Sequence, residues 1–164
     1  MLLYNRRSVL ASLTALALTE CGLTPVYSPQ GSAIMLLNQV ILAPPKNYND
    51  YLLHQHIEER IGPPSSSRWR LTTELSTKIV GLGYTRDGKI TRYNIDGTVN
   101  YTLRRTNSKT VFKSGKVQHF TSYSASGTTV ATLAAKRDAS VRLMTILADQ
   151  IIDQLLLIGE NLQA

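Results

Sequence analysis

Alternation of apolar and polar residues dominates the middle of the chain and predicts a three-stranded meander. In each predicted strand one face is apolar and the other is polar or charged, which is typical of a sheet with one buried face. Asp87-Gly88 is a hairpin signal between the first two strands, and a slip in the alternation near Gly115 predicts a bulge. The predicted strands and intervening turns are Trp69–Val80, Tyr84–Lys89 (turn), Ile90–Arg104, Arg105–Lys109 (turn) and Val111–Tyr123.

Apolar residues at helical spacing predict a first helix over Tyr48–Ile61, before the meander. Asn49 or Asp50 is the predicted N-cap, and Gly62-Pro63-Pro64 ends the helix. Ahead of it, Leu36–Ala43 is rich in β-forming residues and stops at two prolines, which predicts a strand at a sheet edge. The apolar stripe of this helix consists of Leu53, Ile57 and Ile61.

A second and longer helix is predicted over Val130–Ile158, about 43 Å long at 1.5 Å per residue. Its wide apolar stripe suits packing on a sheet, and the meander has an apolar face that must be buried. We therefore predict an α+β fold with two helices packed on one face of a four-stranded, mainly antiparallel sheet. Residues 34–164 would form this single α/β sandwich domain. The stripe consists of Val141, Leu143, Met144, Leu147, Ala148, Ile151, Ile152, Leu155 and Ile158.

The first 20 residues have the composition of a secretory signal peptide. Arg6 and Arg7 precede an apolar or small stretch over Ser8–Leu18, which is too short to span a bilayer. The arginine pair also has the look of a twin-arginine signal, although an ordinary basic n-region accounts for it. Cys21 is the only cysteine and cannot form an internal disulfide, so its position after the apolar stretch predicts lipid attachment. Residues 21–33 then form the acylated N-terminus and its tether.

Glu20 leaves the processing of this N-terminus open between two alternatives. Lipoprotein signals place a small residue directly before the modified cysteine, and a charged side chain fits poorly there, although Leu18 stands where such signals have leucine. The alternative is cleavage at the A-x-A-like site Ala15-Leu16-Ala17, which would leave Cys21 as a free thiol near a soluble N-terminus.

Positive charge is concentrated on the meander. The chain has 18 Lys and Arg against 11 Asp and Glu, and 11 of these basic residues but only 3 of the acidic ones lie between Arg68 and Tyr123. The excess is either a solvated face that protects the sheet edges or a docking surface for a phosphate-bearing glycolipid or an acidic protein. Tyrosines interleave with this charge, but the export signal argues against nucleic acid as a partner.

The sequence indicates no catalytic or metal site. His54 and His56 are two residues apart on a helix and point in different directions, so they cannot grip one metal, and we predict both at the helix surface or its boundary. His119 has no Cys, Asp or Glu spaced around it as a ligand set. No pair of carboxylates suggests acid–base chemistry. We therefore expect neither an enzyme nor a bound cofactor.

Three stretches of the chain resemble the lipopolysaccharide-assembly lipoprotein family (LptE-type), in its alphaproteobacterial form. They are the segment Cys21–Tyr27, the predicted strand Tyr93–Leu103 and, most distinctively, Phe120–Ala139 leading into the final helix. The resemblance covers nearly the whole chain. It implies two helices against a four-stranded sheet, the same fold that the alternation and the stripes predict.

The resemblance also implies a non-enzymatic function and a location. Family members are anchored by lipid to the periplasmic face of the outer membrane, plug a large β-barrel translocon, LptD, and help deliver lipopolysaccharide to the cell surface. Cys21 would be the acylated residue, and Gly22 after it lacks the aspartate associated with retention in the inner membrane. The family's glycolipid contacts are basic and near strand tips, which in this sequence favours Arg86, Lys89 and Arg92.

Two other functions remain as alternatives. An auxiliary lipoprotein of an envelope lipid transporter would have a concave apolar pocket that holds an acyl chain. A secreted enzyme would have a cleft with clustered polar groups.

Overall fold

A computed structural model describes residues 36–157 of the chain. The predictions for the signal peptide, Glu20, Cys21, the tether and Ile158 lie outside the described residues. The elements in chain order are β1 (Val40–Leu42), α1 (Tyr48–Ile61), β2 (Trp69–Tyr84), β3 (Ile90–Arg105), β4 (Val111–Ser124) and α2 (Thr129–Leu156).

The four strands form one mixed sheet in the order β1-β2-β3-β4. β1 pairs with β2 in parallel, whereas β2, β3 and β4 form an antiparallel meander. The ladder between β2 and β3 runs from Trp69 opposite Arg105 to Tyr84 opposite Ile90. The predicted α+β fold is therefore confirmed, with both helices on the apolar face.

β1 is much shorter than the predicted strand over Leu36–Ala43. The backbone before it turns toward the end of α1, where the amide of Asn38 donates to the carbonyl of Ile61 over 2.8 Å. Asn38 has a positive φ of 57°, which asparagine tolerates better than most residues. Three residues of β1 are therefore left to pair with β2, and the prediction was right about an edge strand but wrong about its length.

α1 begins at the predicted residue, but its N-cap is Asn47 rather than Asn49 or Asp50. The Asn47 side chain accepts a hydrogen bond from the amide of Asp50 over 3.0 Å. The Asp50 carboxylate in turn accepts from the backbone amide of Lys46 and from the Asn47 side chain. This reciprocal pair satisfies donors at the helix start in the manner of a capping box.

The core lies between the two helices and the part of the meander nearest the start of β2 and the end of β3. α1 and α2 run side by side in the same direction, joined by His56 to Thr145 at 3.0 Å and by Arg60 to Asp149 at 2.9 Å. α2 approaches the sheet closely at Gly97, where an added methyl group would lie 2.8 Å from Cδ1 of Leu147. The buried residues of α2 are Ala139, Leu143, Met144, Leu147, Ala148, Ile151, Ile152 and Leu155.

The bulge in β4 lies at Phe112, not near Gly115. The pairing of β3 with β4 passes regularly from Tyr101 opposite Gly115 to Leu103 opposite Lys113, and then skips one residue. Gly115 has a different role: a side chain there would collide with the buried ring of Tyr101. The slip in the sequence pattern reflected this packing requirement rather than an extra residue.

His54 is buried, which contradicts its predicted place at the helix surface or boundary. Only 7% of it is exposed, and its Nε2 lies 2.7 Å from the Thr73 hydroxyl on β2. Burial lowers the pKa of His54 below its usual value of 6.5, against the opposing charges of Asp50 and Glu58. The folded protein therefore holds His54 neutral at neutral pH.

The neutral state of His54 should make stability depend on pH. Because the unfolded chain binds a proton at this residue at a higher pH than the folded chain, the free energy of unfolding should be greatest above pH 6.5 and fall as the pH drops below it. Urea titrations of the wild type and His54→Gln between neutral and mildly acidic pH would measure this. We expect a shallower decline for the variant, and parallel curves would contradict the assignment.

Candidate functional site

The far end of the β2–β3 hairpin carries the basic residues that the sequence singled out. In the loop, the amide of Gly88 donates to the carbonyl of Thr85 over 3.0 Å, and the amide of Thr85 donates to the carbonyl of Lys89 over 2.9 Å. Gly88 has a φ of 76°, a conformation that glycine adopts without a steric penalty. The predicted Asp87-Gly88 turn is therefore confirmed.

Arg86, Lys89 and Arg92 are all exposed at this end, which we call the hairpin tip (residues 82–92). Arg86 and Lys89 lie on the loop itself, whereas Arg92 lies on β3 opposite Gly83 and Ser124. Gly83 leaves room for Arg92, since a methyl group added there would lie 3.3 Å from the Arg92 Cβ. The tip thus presents three cations and one carboxylate, Asp87.

Apolar side chains accompany the cations at the hairpin tip. Tyr84 is 65% exposed and Leu82 is 50% exposed, and the pairing of β2 with β3 is irregular here, with register shifts between Gly81 and Gly83 and between Gly83 and Tyr84. The strand alternation assigns Ile79 to the apolar face, but the structure leaves it exposed as well. A surface with cations beside exposed apolar groups suits an amphiphile that carries both phosphate and acyl chains.

The exposure follows from the unequal lengths of α1 and the hairpin. α1 has 14 residues, which span about 21 Å, whereas the 16 residues of β2 span about 50 Å. α1 packs on the near half of β2 through His54 and Thr73, so the far half lies beyond its cover. The sequence pattern gave the apolar face correctly but not the point where its cover ends.

The start of α2 lies beside the hairpin tip. The amide of Ala125, just after β4, donates to the carbonyl of Thr91 over 2.8 Å. Thr128 caps α2 by accepting from the amide of Ala131. A shallow cavity there is lined by small and polar residues with Leu133 and Lys136, and its lining comprises Ala125, Gly127, Thr129, Thr132, Leu133 and Lys136.

The tyrosines that interleave with the charge have separate roles. Tyr93 and Tyr123 stack with their ring centroids 5.3 Å apart, and burial together with Tyr93 raises the pKa of Tyr123. Tyr101 is buried and donates to Oε1 of Gln154 on α2 over 2.7 Å, and burial raises its pKa too. Tyr101 is a core residue and Tyr93 packs partly buried against the core, whereas Tyr84 belongs to the hairpin tip.

The described residues contain no group of three or more His, Cys, Asp and Glu that could hold a metal ion. Within residues 36–157, none of the helices is long and apolar enough to cross a membrane. The chemistry that the hairpin tip can perform is the binding of an anion beside an apolar group.

Comparison with known proteins identifies a family. The family model for lipopolysaccharide assembly, LptE, matches residues 37–155. No curated protein matches the chain. Among solved structures, a Caulobacter crescentus protein assigned as a lipoprotein has a TM-score of 0.67 at 17% identity, and the match covers 79% of this chain and 98% of that one.

Two further structures have the same fold. The rare lipoprotein B of Shewanella oneidensis has a TM-score of 0.57 at 14% identity, over 77% of this chain and 98% of that one. A minor lipoprotein of Acinetobacter baumannii has a TM-score of 0.52 at 17% identity, over 72% of this chain and 88% of that one. At such identities these likenesses establish the fold alone.

Proposed function

The chain belongs to the lipopolysaccharide-assembly family LptE, and on that premise we propose that it plugs the β-barrel of the outer-membrane lipopolysaccharide translocon, an LptD-type protein. The family consists of non-enzymatic lipoproteins of the cell envelope that work with the lipopolysaccharide transport machinery. In our proposal, the protein is anchored to the periplasmic face of the outer membrane through acylated Cys21. It assists the delivery of lipopolysaccharide to the cell surface.

The observation that carries the proposal is the division of the meander into two unlike faces. One face packs against both helices and contains the core. The opposite face has no covering element among the described residues, and its β2 row, Arg70, Thr72, Glu74, Ser76 and Lys78, is exposed. The lumen of an outer-membrane barrel is polar and water-filled, so a polar sheet face is compatible with that surrounding.

The hairpin tip supports a direct role in handling lipopolysaccharide. Lysine and arginine bind phosphate groups through charge-assisted hydrogen bonds, and Arg86, Lys89 and Arg92 are exposed at the part of the hairpin farthest from α1. Exposed Leu82 and Tyr84 offer apolar contacts beside them. We infer that the phosphate groups of lipopolysaccharide bind at this tip.

The packing gives no support to the acyl-chain carrier that the sequence left as an alternative. The space between α2 and the sheet is filled, since Leu143 and Leu147 lie against Gly97 so closely that an added methyl group would collide with both. An acyl chain would need these fully buried side chains to move. We therefore propose the translocon component alone.

Co-purification from outer membranes tests this function. A tagged chain solubilised in mild detergent should recover a large β-barrel protein in equal amount, and an unrelated tagged outer-membrane lipoprotein should not. The intact mass of the same material should include acyl chains on Cys21. Recovery of the chain without such a partner would refute the plug, and an unacylated chain cleaved after Ala17 would refute the anchor.

A further inference from the structure

A second basic surface lies at the opposite end of the sheet from the hairpin tip. It holds six of the 11 basic residues of the meander, and the segments that contribute them, 68–71 and 103–113, contain no Asp or Glu. The hairpin tip holds only three, with Asp87 among them. We call this surface the basal cluster, and its members are Arg68, Arg70, Arg104, Arg105, Lys109 and Lys113.

Strand pairing brings these two segments of the chain together. The amide of Thr106 donates to the carbonyl of Arg68 over 2.9 Å, which ties the start of β2 to the end of β3. Arg70 is directly opposite Arg104 in the ladder. Lys109 lies in the turn that follows β3, and Lys113 pairs with Leu103 from β4. The ladder thus concentrates the charge at one end of the sheet.

This concentration is unfavourable for the isolated protein. Arg70 and Arg104 are directly opposite each other in the ladder. Like charges in such a pair destabilise a sheet. Within residues 36–157, the three ion pairs are His56–Glu59, Arg60–Asp149 and Arg142–Asp138, so none of them involves the basal cluster. Arg105 lies over the Trp69 ring, 5.6 Å from its centroid. An external anion would relieve the repulsion.

Apolar groups border the basal cluster. The bulge places Phe112 beside Trp69, with the ring centroids 5.1 Å apart, yet Phe112 remains 39% exposed. Its neighbour Val111 is 44% exposed. Aromatic and basic side chains in combination are typical of protein surfaces that contact the headgroup region of a bilayer.

The N-terminal segment joins the folded domain at this same end. The carbonyl of Gln39 accepts from the amide of Trp69 over 3.0 Å, and the carbonyl of Asn38 accepts from the amide of Ser65. Leu36, the first described residue, is therefore beside the start of β2. Only 14 residues separate it from Cys21, a distance of at most about 50 Å in extended chain. An acyl group on Cys21, as proposed above, would tether the basal end to the membrane.

We propose that the basal cluster lies at the periplasmic mouth of the barrel proposed above and binds the anionic phospholipid headgroups of that membrane face, which sets the orientation of the domain. The hairpin tip then points into the barrel lumen toward the cell surface, since β2 alone separates the two ends by about 50 Å. This binding is additional to the proposed contact of the tip with lipopolysaccharide. It depends on the charge of the cluster more than on its detailed geometry.

Vesicle sedimentation with the full chain carrying Cys21→Ser tests the proposal. The vesicles contain phosphatidylcholine alone or equal parts of phosphatidylcholine and phosphatidylglycerol. The measured quantity is the affinity for the mixed vesicles divided by the affinity for phosphatidylcholine vesicles. Apolar binding by residues 1–20 contributes equally to both affinities and cancels in this ratio. We expect Arg70→Gln with Arg104→Gln and Lys109→Gln to lower this ratio about a hundredfold, since each basic residue near an anionic surface contributes about fivefold. High salt should lower it as well.

The matched control removes the same number of charges from the other end, as Arg86→Gln, Lys89→Gln and Arg92→Gln. It should keep the ratio within about fivefold of the wild type. Equal losses in both variants would mean attraction by net charge alone, and a wild-type ratio in the basal variant would mean no binding there; either result overturns the proposal. A third result would also overturn the proposal. In it, the wild type shows no preference for phosphatidylglycerol, but it binds lipopolysaccharide micelles and the basal variant does not.

Folding of the basal variant is checked by its thermal unfolding, which should occur at the wild-type temperature or above because a like-charged pair is removed. Lys109→Gln with Lys113→Gln is a milder second variant, with an expected loss of about twenty-fivefold. Failure of this proposal would not refute the proposed contact of the hairpin tip with lipopolysaccharide. The two surfaces are tested with different ligands and different variants.

Discussion

Leu147→Ala should lower the free energy of unfolding by about 3 kcal/mol, within the range of 2 to 5 kcal/mol seen for large-to-small changes in cores. Leu147 is completely buried on α2, and its Cδ1 lies against Gly97 of β3. The side chain therefore fills the space between helix and sheet at a point of close approach. Its removal leaves a cavity that two regular elements cannot easily collapse to fill.

A matched control on the same helix is Leu133→Ala. This leucine is 47% exposed, so the same chemical change should alter the free energy of unfolding by less than about 1 kcal/mol. Urea unfolding of both variants, followed by circular dichroism, measures the difference. Similar losses for the two leucines would contradict the described packing of α2.

Gly97→Ala provides a stricter test of the same contact. A methyl group there would lie 2.8 Å from Leu147 and 3.0 Å from Leu143, so the single variant should be overpacked and destabilised by about 1 to 3 kcal/mol. In the double variant with Leu147→Ala, the methyl group enters the cavity. The combined loss should therefore be smaller than the sum of the single losses by at least about 0.5 kcal/mol. Strict additivity would show that α2 does not contact the sheet at Gly97.

Charge reversal at the hairpin tip should weaken lipopolysaccharide binding by at least about a hundredfold. The variant carries Arg86→Glu, Lys89→Glu and Arg92→Glu. Each cation that binds a phosphate group contributes about 1.5 to 3 kcal/mol through its hydrogen bond, and each glutamate adds repulsion. Binding of purified lipopolysaccharide in detergent, measured by titration calorimetry, gives the result.

The control for the tip reverses an equal number of charges in the basal cluster, as Arg70→Glu, Arg104→Glu and Lys109→Glu. We expect lipopolysaccharide binding to stay within about fivefold of the wild type, because the basal cluster is about 50 Å from the tip and salt screens charges beyond about 10 Å. The circular dichroism spectra of both variants should match the wild type. Unchanged binding after reversal at the tip would disprove the assignment of Arg86, Lys89 and Arg92.

Local sequence patterns predicted the secondary structure closely because each element satisfies its own rule. The alternation over Ile90–Arg104 and the Asp87-Gly88 turn gave the β2–β3 hairpin to within a few residues. α1 was predicted with its observed bounds, Tyr48–Ile61, since its apolar stripe and the following glycine and prolines mark it on both sides. Two details were wrong: the cap at Asn47, which forms through a local contact with Asp50, and the bulge at Phe112, which depends on pairing with β3.

The candidate site was predicted only in part. Arg86 and Lys89 were assigned to the hairpin turn from Asp87-Gly88, which is a local signal. The exposure of Leu82 and Tyr84 was not foreseen, because it depends on the register shifts on either side of Gly83 and on how far α1 extends along β2. His54 was wrongly predicted at a helix surface or boundary. Periodicity gives the direction of its side chain on the helix, but it does not show that Thr73 of β2 packs against that side chain.

The sequence by itself determined the elements, the apolar face of the meander and the excess of positive charge on it, because period, turn residues and composition are local properties. The tertiary structure alone decided where that charge converges. Arg70, Arg104 and Lys109 are far apart in the sequence, and only the strand register places them at one end of the sheet, opposite the hairpin tip. The division into two basic ends follows from pairing between distant strands, which no local pattern encodes.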